Sequence, residues 1–222
     1  MKKIIILLVV FLVSVSLFAD FSLGFKATGY KGENVKGAFY GLSFNYAQPK
    51  DGIRFISDLG FGISPRAQYR NDSSDEWVIS QSTKGSGPRS YRTYMFDAKL
   101  GIEYYKAFAN GYTGGGALYV SARDVVINND GETHPSYTDW GRQSFLTYGI
   151  GGYLNFTFPS LNKDRVNALP VSLSLRPFFT LDLAGISWKT HSVSGKQSSF
   201  GQTNIKGGVD YGVTICFTYS AL

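Results

Sequence analysis

The residues with the most chemistry to offer are five carboxylates and six cations: Asp58, Asp97, Glu103, Asp182 and Asp210, and Lys26, Arg54, Lys99, Arg123, Arg176 and Lys206. Paired carboxylates can perform acid/base work. Here every carboxylate falls on the same parity of a short alternating segment as a cation, so mutual salt-bridging is the simpler account. Nucleophile arrangements are scarce. His134-Pro135-Ser136 has the spacing of a general base and a hydroxyl nucleophile, but it sits in a polar stretch with Pro135 between the two side chains. His191-Ser192 is a still poorer match. Two His and the single Cys216 assemble no metal site of ordinary ligand type, and Cys216 has no partner for an internal disulfide. Gly114-Gly115-Gly116 is not followed by the Lys-Ser/Thr of a phosphate loop and reads as a strand bend. The sequence therefore predicts no enzyme, no cofactor and no metal.

The elements that position these charges have a period of two. Tyr211, Val213, Ile215, Phe217 and Tyr219 alternate with Asp210, Gly212, Thr214, Cys216 and Thr218, and Ile205 and Val209 share the bulky parity. Seven earlier segments follow the same rule. Their apolar faces begin at Phe21, Ala38, Ile53, Tyr94, Leu118, Leu146 and Val171, opposite faces made of Gly, Ser, Thr and one or two charges. Eight segments of roughly 9–11 residues are each long enough to cross a bilayer obliquely. Short connections at 48–52, 107–112 and 159–170 alternate with longer polar ones at 65–90, 125–142 and 184–204, and 31–36 is short where a long one is expected.

A soluble barrel would also alternate, so the direction of the apolar face has to be argued. The polar faces are small and nearly charge-balanced, which suits a confined lumen better than a solvated surface. Tyr30, Tyr46, Tyr94, Tyr104, Tyr148, Trp188 and Tyr219 crowd the segment ends, where an interfacial girdle belongs. The apolar face is therefore expected to meet lipid. In hydrocarbon the sheet cannot leave an edge unpaired and has to close on itself.

The N-terminus agrees with export. Lys2 and Lys3 precede the apolar run Ile4–Val13, a softer stretch to Phe18, and Ala19-Asp20, which together make a secretory signal peptide over 1–19. Residues 20–222 then form one all-β domain, a closed antiparallel transmembrane β-barrel of about eight strands. The net charge of +6 contains no basic run and gives no reason to expect nucleic acid.

On these alternating segments the chain resembles the small outer-membrane barrels of the OmpA-barrel, OmpX and OmpW-like group, over essentially all of 20–222. The resemblance implies an outer-membrane location and contact with membrane lipid. It also implies that the last strand, Val209, Tyr211, Val213, Ile215, Phe217 and Tyr219, is an assembly signal read by the barrel-insertion machinery; here Ser220-Ala221-Leu222 follow the usual terminal aromatic. OmpW-like members are associated with small hydrophobic molecules and an apolar lumen, whereas this lumen reads as polar. The His-x-Ser spacing is similar to that of the lipid A deacylase family, but Tyr137 stands where that family has asparagine. The expected role is structural or surface-interacting, through loops 65–90, 125–142 and 184–204, with the lumen closed by its charges. A narrow solute channel is the alternative, and a lipid-modifying enzyme comes third.

Overall fold

In the computed structural model the described residues are 20–48, 52–70, 77–79, 91–129, 142–159, 171–193 and 196–219. They form one antiparallel sheet closed on itself. Its strands are β1 (Asp20–Lys31), β2 (Val35–Ala47), β3 (Gly52–Ser64), β4 (Gln68–Arg70), β5 (Trp77–Ile79), β6 (Tyr91–Ala107), β7 (Thr113–Asn129), β8 (Arg142–Thr157), β9 (Val171–Val193), β10 (Lys196–Lys206) and β11 (Val209–Tyr219). Eight staves make the wall, in the order β1, β2, β3, β6, β7, β8, β9 and then β10 with β11. Closure is the pairing of β1 with β11, from Phe21 opposite Tyr219 to Lys31 opposite Val209. The short β4 extends the β3 stave above a break at 65–67 and pairs Val35 and Lys36 with Tyr69 and Gln68; β5 folds back on it.

Turns at the N-terminal end of the barrel are tight. Gly52 takes φ +89° at the start of β3, while Asn110 and Gly111 take φ 62° and 78° between β6 and β7, conformations cheapest for Gly and Asn. Phe108 N–H donates to Tyr112 O across that turn at 2.7 Å. At the opposite end β1 and β2 are joined through Gly32–Asn34, closed by Gly32 N–H donating to Val35 O at 2.8 Å.

The wall is turned inside out relative to a soluble protein. Phe25, Ile53 and Leu118 are 66%, 67% and 71% exposed, while Glu103, Arg123 and Asp210 are 0% exposed. A continuous belt of Leu, Ile, Val and Phe with charges beneath is a surface that water does not support and hydrocarbon does. The outward residues match the apolar faces expected from the first seven segments and, in the eighth, from Val209 to Tyr219.

Four expectations are corrected. First, 184–204 is not a loop: β9 runs on to Val193 and pairs with β10 as a hairpin, Lys196 opposite Val193. Second, that hairpin reverses parity. Tyr148 pairs with Ala184 but Gly149 with Asp182, so Leu183 is an extra residue in β9, and both Leu183 and Ala184 face outward. Gly207 and Gly208 break the partner stave at the same level. A Cβ on Gly207 would run into the Asp182 carbonyl, so the close approach requires glycine. Ile205 therefore points inward and Lys206 outward, the reverse of a single strand read from 205 to 219. Third, Tyr30 is buried in the interior, not in an outer girdle; Tyr104, Tyr148 and Tyr219 are exposed on the outside, with Tyr46, Tyr94 and Trp188 half-buried. Fourth, the interior is not polar throughout. Tyr30, Val35, Phe39, Ala67, Met95, Val125, Ile127, Phe145 and Ile205 form one buried cluster inside the end opposite the N-terminus.

The candidate functional site is the filled lumen

Strand alternation delivers Lys26, Arg54, Asp97, Lys99, Glu103, Arg123, Arg176, Asp182 and Asp210 to the interior, each no more than 6% exposed, with Asp58 half-buried on the same face. Lys206 is the exception. It is exposed on the outer side of the wall at the β10 end, where its backbone N–H donates to Glu33 Oε2 at 2.7 Å. The bulge that turns Ile205 inward turns it out.

The inward charges divide into two networks. Nearer the N-terminal end, Arg54 Nε and Nη2 both bind Glu103 Oε2, at 2.8 and 2.7 Å, while Nη1 reaches Asp20 Oδ2 at 2.9 Å. The guanidinium also lies 3.7 Å from the Tyr105 ring centroid. Glu103 Oε1 accepts from Asn155 Nδ2 at 2.8 Å, so both carboxylate oxygens are used. Asn155 Oδ1 in turn accepts from Thr157 at 3.3 Å and from Arg176 Nε at 3.4 Å. Thr157, Ser174, Thr218 and Ser22 continue the chain of hydroxyls around the wall, and Arg176 Nη2 closes it on Ser22 at 3.5 Å. To one side, Ser43 donates to Asp58 at 3.2 Å and receives Asn45 Nδ2 at 2.8 Å.

The second network lies above the first. Arg123 Nη1 binds both oxygens of Asp182, at 2.9 and 2.7 Å, and Nη2 binds Asp210 at 2.5 Å. Thr147 donates to Asp182 Oδ2 at 2.8 Å. Across the lumen Lys26 Nζ meets Asp97 Oδ2 at 2.6 Å, with Lys99 Nζ at 3.6 Å from the same oxygen. Lys99 is also held over the rings of Phe178, 4.1 Å, and Tyr119, 4.8 Å. Gly60, opposite Asp97, leaves the space that the carboxylate occupies. Above this layer sits the apolar cluster, and Arg123 touches it through Tyr30, 5.2 Å from the ring centroid. One interior cavity, bounded by Lys26, Thr28, Phe39, Met95 and Asp97, is about 10 Å³, the size of one water.

Such an arrangement braces opposite sides of the barrel against one another. Arg54, Arg123, Arg176, Glu103, Asp97 and Asp182 are each held by more than one neighbour, whereas Asp58 Oδ1 and Asp210 Oδ1 have no hydrogen-bond partner among the described residues. Asp20 and the apolar cluster escape a reading of the sequence alone, in which Asp20 belongs only to the cleavage junction and Thr147 and Asn155 are simply part of a polar face. Phe39 and Met95 do leave a signal: they sit on the polar parity of their strands, ahead of Gly41-Ser43-Asn45 and Asp97-Lys99. His134 and Ser136 lie outside the described residues, as do residues 1–19.

The fold recurs among solved structures. A major outer membrane protein from Thermus thermophilus superposes with a TM-score of 0.58 at 13% identity, over 90% of this chain and 99% of that one. The outer membrane protein OprG from Pseudomonas aeruginosa gives 0.51 at 10% identity, over 91% and 97%. No family model and no curated protein sequence matches the chain. At such identities the likeness is one of fold: an all-β, closed, antiparallel barrel of eight strands, as in small outer-membrane proteins.

Proposed function

We propose that this protein is an outer-membrane barrel whose lumen is closed and whose work is done at its surface, through the connections at the end opposite the N-terminus. The observation that carries this reading is the filled interior: two interlocked ionic layers beneath an apolar cluster. Water-filled passage would need that cluster displaced and at least one ionic layer broken. Breaking a buried pair by losing one partner costs about 3–5 kcal/mol. The apolar outer belt supports the bilayer location, and the likeness of fold to outer-membrane proteins supports which bilayer. The last strand, with Tyr211, Ile215, Phe217 and Tyr219 outward along the closing seam, supplies what the insertion machinery would read.

Planar-bilayer recording of purified, refolded protein tests this reading. The expected outcome is a quiet membrane at salt concentrations where a control porin conducts. Reproducible unitary steps from the wild-type chain would overturn it in favour of a narrow channel.

A further inference from the structure

One edge of the sheet is left open. β10 pairs with β9 and with no other strand among the described residues. Its missing neighbour is β1, which follows the closing seam only as far as Lys31, opposite Val209. The connection beyond is the short one found where a long loop is expected, and β2 already starts back at Val35. Neither strand of that hairpin rises beside β10 above Lys206.

The backbone of β10 faces the open side with regular groups. Lys206 N–H points away from β9, because it donates to Glu33 Oε2 at 2.7 Å. The register from Gln202 to Lys206 is continuous, so Gln202 and Asn204 turn their N–H and C=O groups to that same side. A register shift between Phe200 and Gln202 limits the regular stretch to 202–206. Such a row is a template for another strand, and proteins commonly blunt it with charged residues or proline. Residues 197–205 contain neither. Lys31 and Lys206 are exposed on the outer side, so the open edge lies at and beyond the water boundary, where an unpaired edge is allowed.

The flank of this edge is basic. A Cβ on Gly208, two residues past Lys206, would lie 2.6 Å from the Lys31 carbonyl oxygen, so the two lysines belong to one patch. Lys31 is also the direct partner of Lys36, a like-charge pairing that sheets disfavour. Glu33 shows what the edge accepts: a carboxylate on an outward N–H, between the lysines.

We infer that the edge of β10 at 202–206 takes an extended segment of a partner protein as an added strand, with acidic residues of that segment beside Lys31 and Lys206. Gln202 and Asn204 supply the main-chain bonds, and the lysines select acidic over basic sequences. A second copy of this chain is a poor occupant, because the same lysines would face one another across the joint. The inference rests on the reading that the work is done at the end opposite the N-terminus, and names the partner for it.

The probe is a labelled peptide of about ten residues, a full strand length, alternating threonine and valine with two threonines replaced by aspartate. It is added to the refolded protein in phosphatidylcholine bicelles, with affinity read by fluorescence anisotropy and the Asn204 amide by hydrogen exchange. The expected result is an Asn204 amide that exchanges freely and becomes protected when the peptide binds. The aspartate peptide should bind about tenfold more tightly than a lysine version, the factor for two cross-strand pairs changed from opposite to like charge. Asn204→Pro removes an edge donor that points away from β9, so the hairpin stays paired while affinity falls about tenfold. Lys31→Glu with Lys206→Glu should reverse the preference between the two peptides, and it decides the matter if the proline variant does not fold. Absence of binding, an Asn204 amide already protected without peptide, or an unreversed preference would each overturn the assignment. So would an affinity unmoved by Asn204→Pro, which would leave a charge contact of the kind an anionic lipid headgroup makes. Unitary conductance from the same refolded sample would count against the closed lumen alone and leave this assignment standing.

Discussion

At the scale of single residues, Arg123 ties the interior together. Its guanidinium satisfies both oxygens of Asp182 and one of Asp210, all three side chains having no exposure. Removing it leaves two carboxylates facing each other in a dry interior, where a lone charge is far costlier than its pairing is favourable. Arg123→Met is therefore expected to lower unfolding free energy by about 3–5 kcal/mol, measured by urea titration in lipid vesicles. The triple change Arg123→Met, Asp182→Asn, Asp210→Asn should recover most of that loss, because no uncompensated charge remains. A triple variant as unstable as the single one would show that the ions contribute by more than mutual neutralisation. Across the lumen, Lys26 and Asp97 pair at 2.6 Å with Lys99 as a second cation. A double-mutant cycle with Lys26→Met and Asp97→Asn should give a coupling of about 0.5–3 kcal/mol, the range for residues in one network. A coupling near zero would mean that Lys99 takes over the whole role.

At the scale of elements, most of the barrel can be read in the sequence because strand geometry writes itself into it: every second side chain faces the same solvent. The apolar parities beginning at Phe21, Ala38, Ile53, Tyr94, Leu118, Leu146 and Val171 are all outward, and Lys26, Arg54, Asp97 and Arg123 are inward as their parity requires. What cannot be read is where parity breaks. The extra residue Leu183 in β9 and the Gly207-Gly208 break answer each other across a pairing visible only in the folded sheet. Their joint effect is to turn Ile205 in and Lys206 out. Equally hidden is the lining of the upper lumen. Phe39, Met95, Val125 and Phe145 come from four strands, each contributing only one or two apolar residues to an otherwise polar face; only closure gathers them. The hairpin of β9 and β10 reads as a loop because Ser, Thr, Gln and Lys dominate 187–203, a composition that suits strands rising out of a membrane into water. Phe39→Ala should cost about 3–5 kcal/mol, the usual figure for truncating a buried phenylalanine, again by urea titration in vesicles. It should open no conductance in planar bilayers, since both ionic layers below it are intact. Channel activity in Phe39→Ala would place the whole seal in the apolar cluster.

At the scale of the molecule, a closed eight-stave wall with an apolar exterior has no stable existence as an open sheet, so the β1–β11 seam and the bilayer hold the fold jointly. The interior adds rigidity: networks spanning β1, β3, β6, β7, β8, β9 and β11 bind each side of the cylinder to the other. The folded chain should therefore resist detergent denaturation until heated. Electrophoretic migration after refolding into phosphatidylcholine vesicles, with and without boiling, tests this most directly. The structure predicts a compact, distinct band for the unboiled sample that moves to the unfolded position on heating. A chain that migrates identically in both lanes would contradict the closed, membrane-seated barrel on which every other conclusion stands.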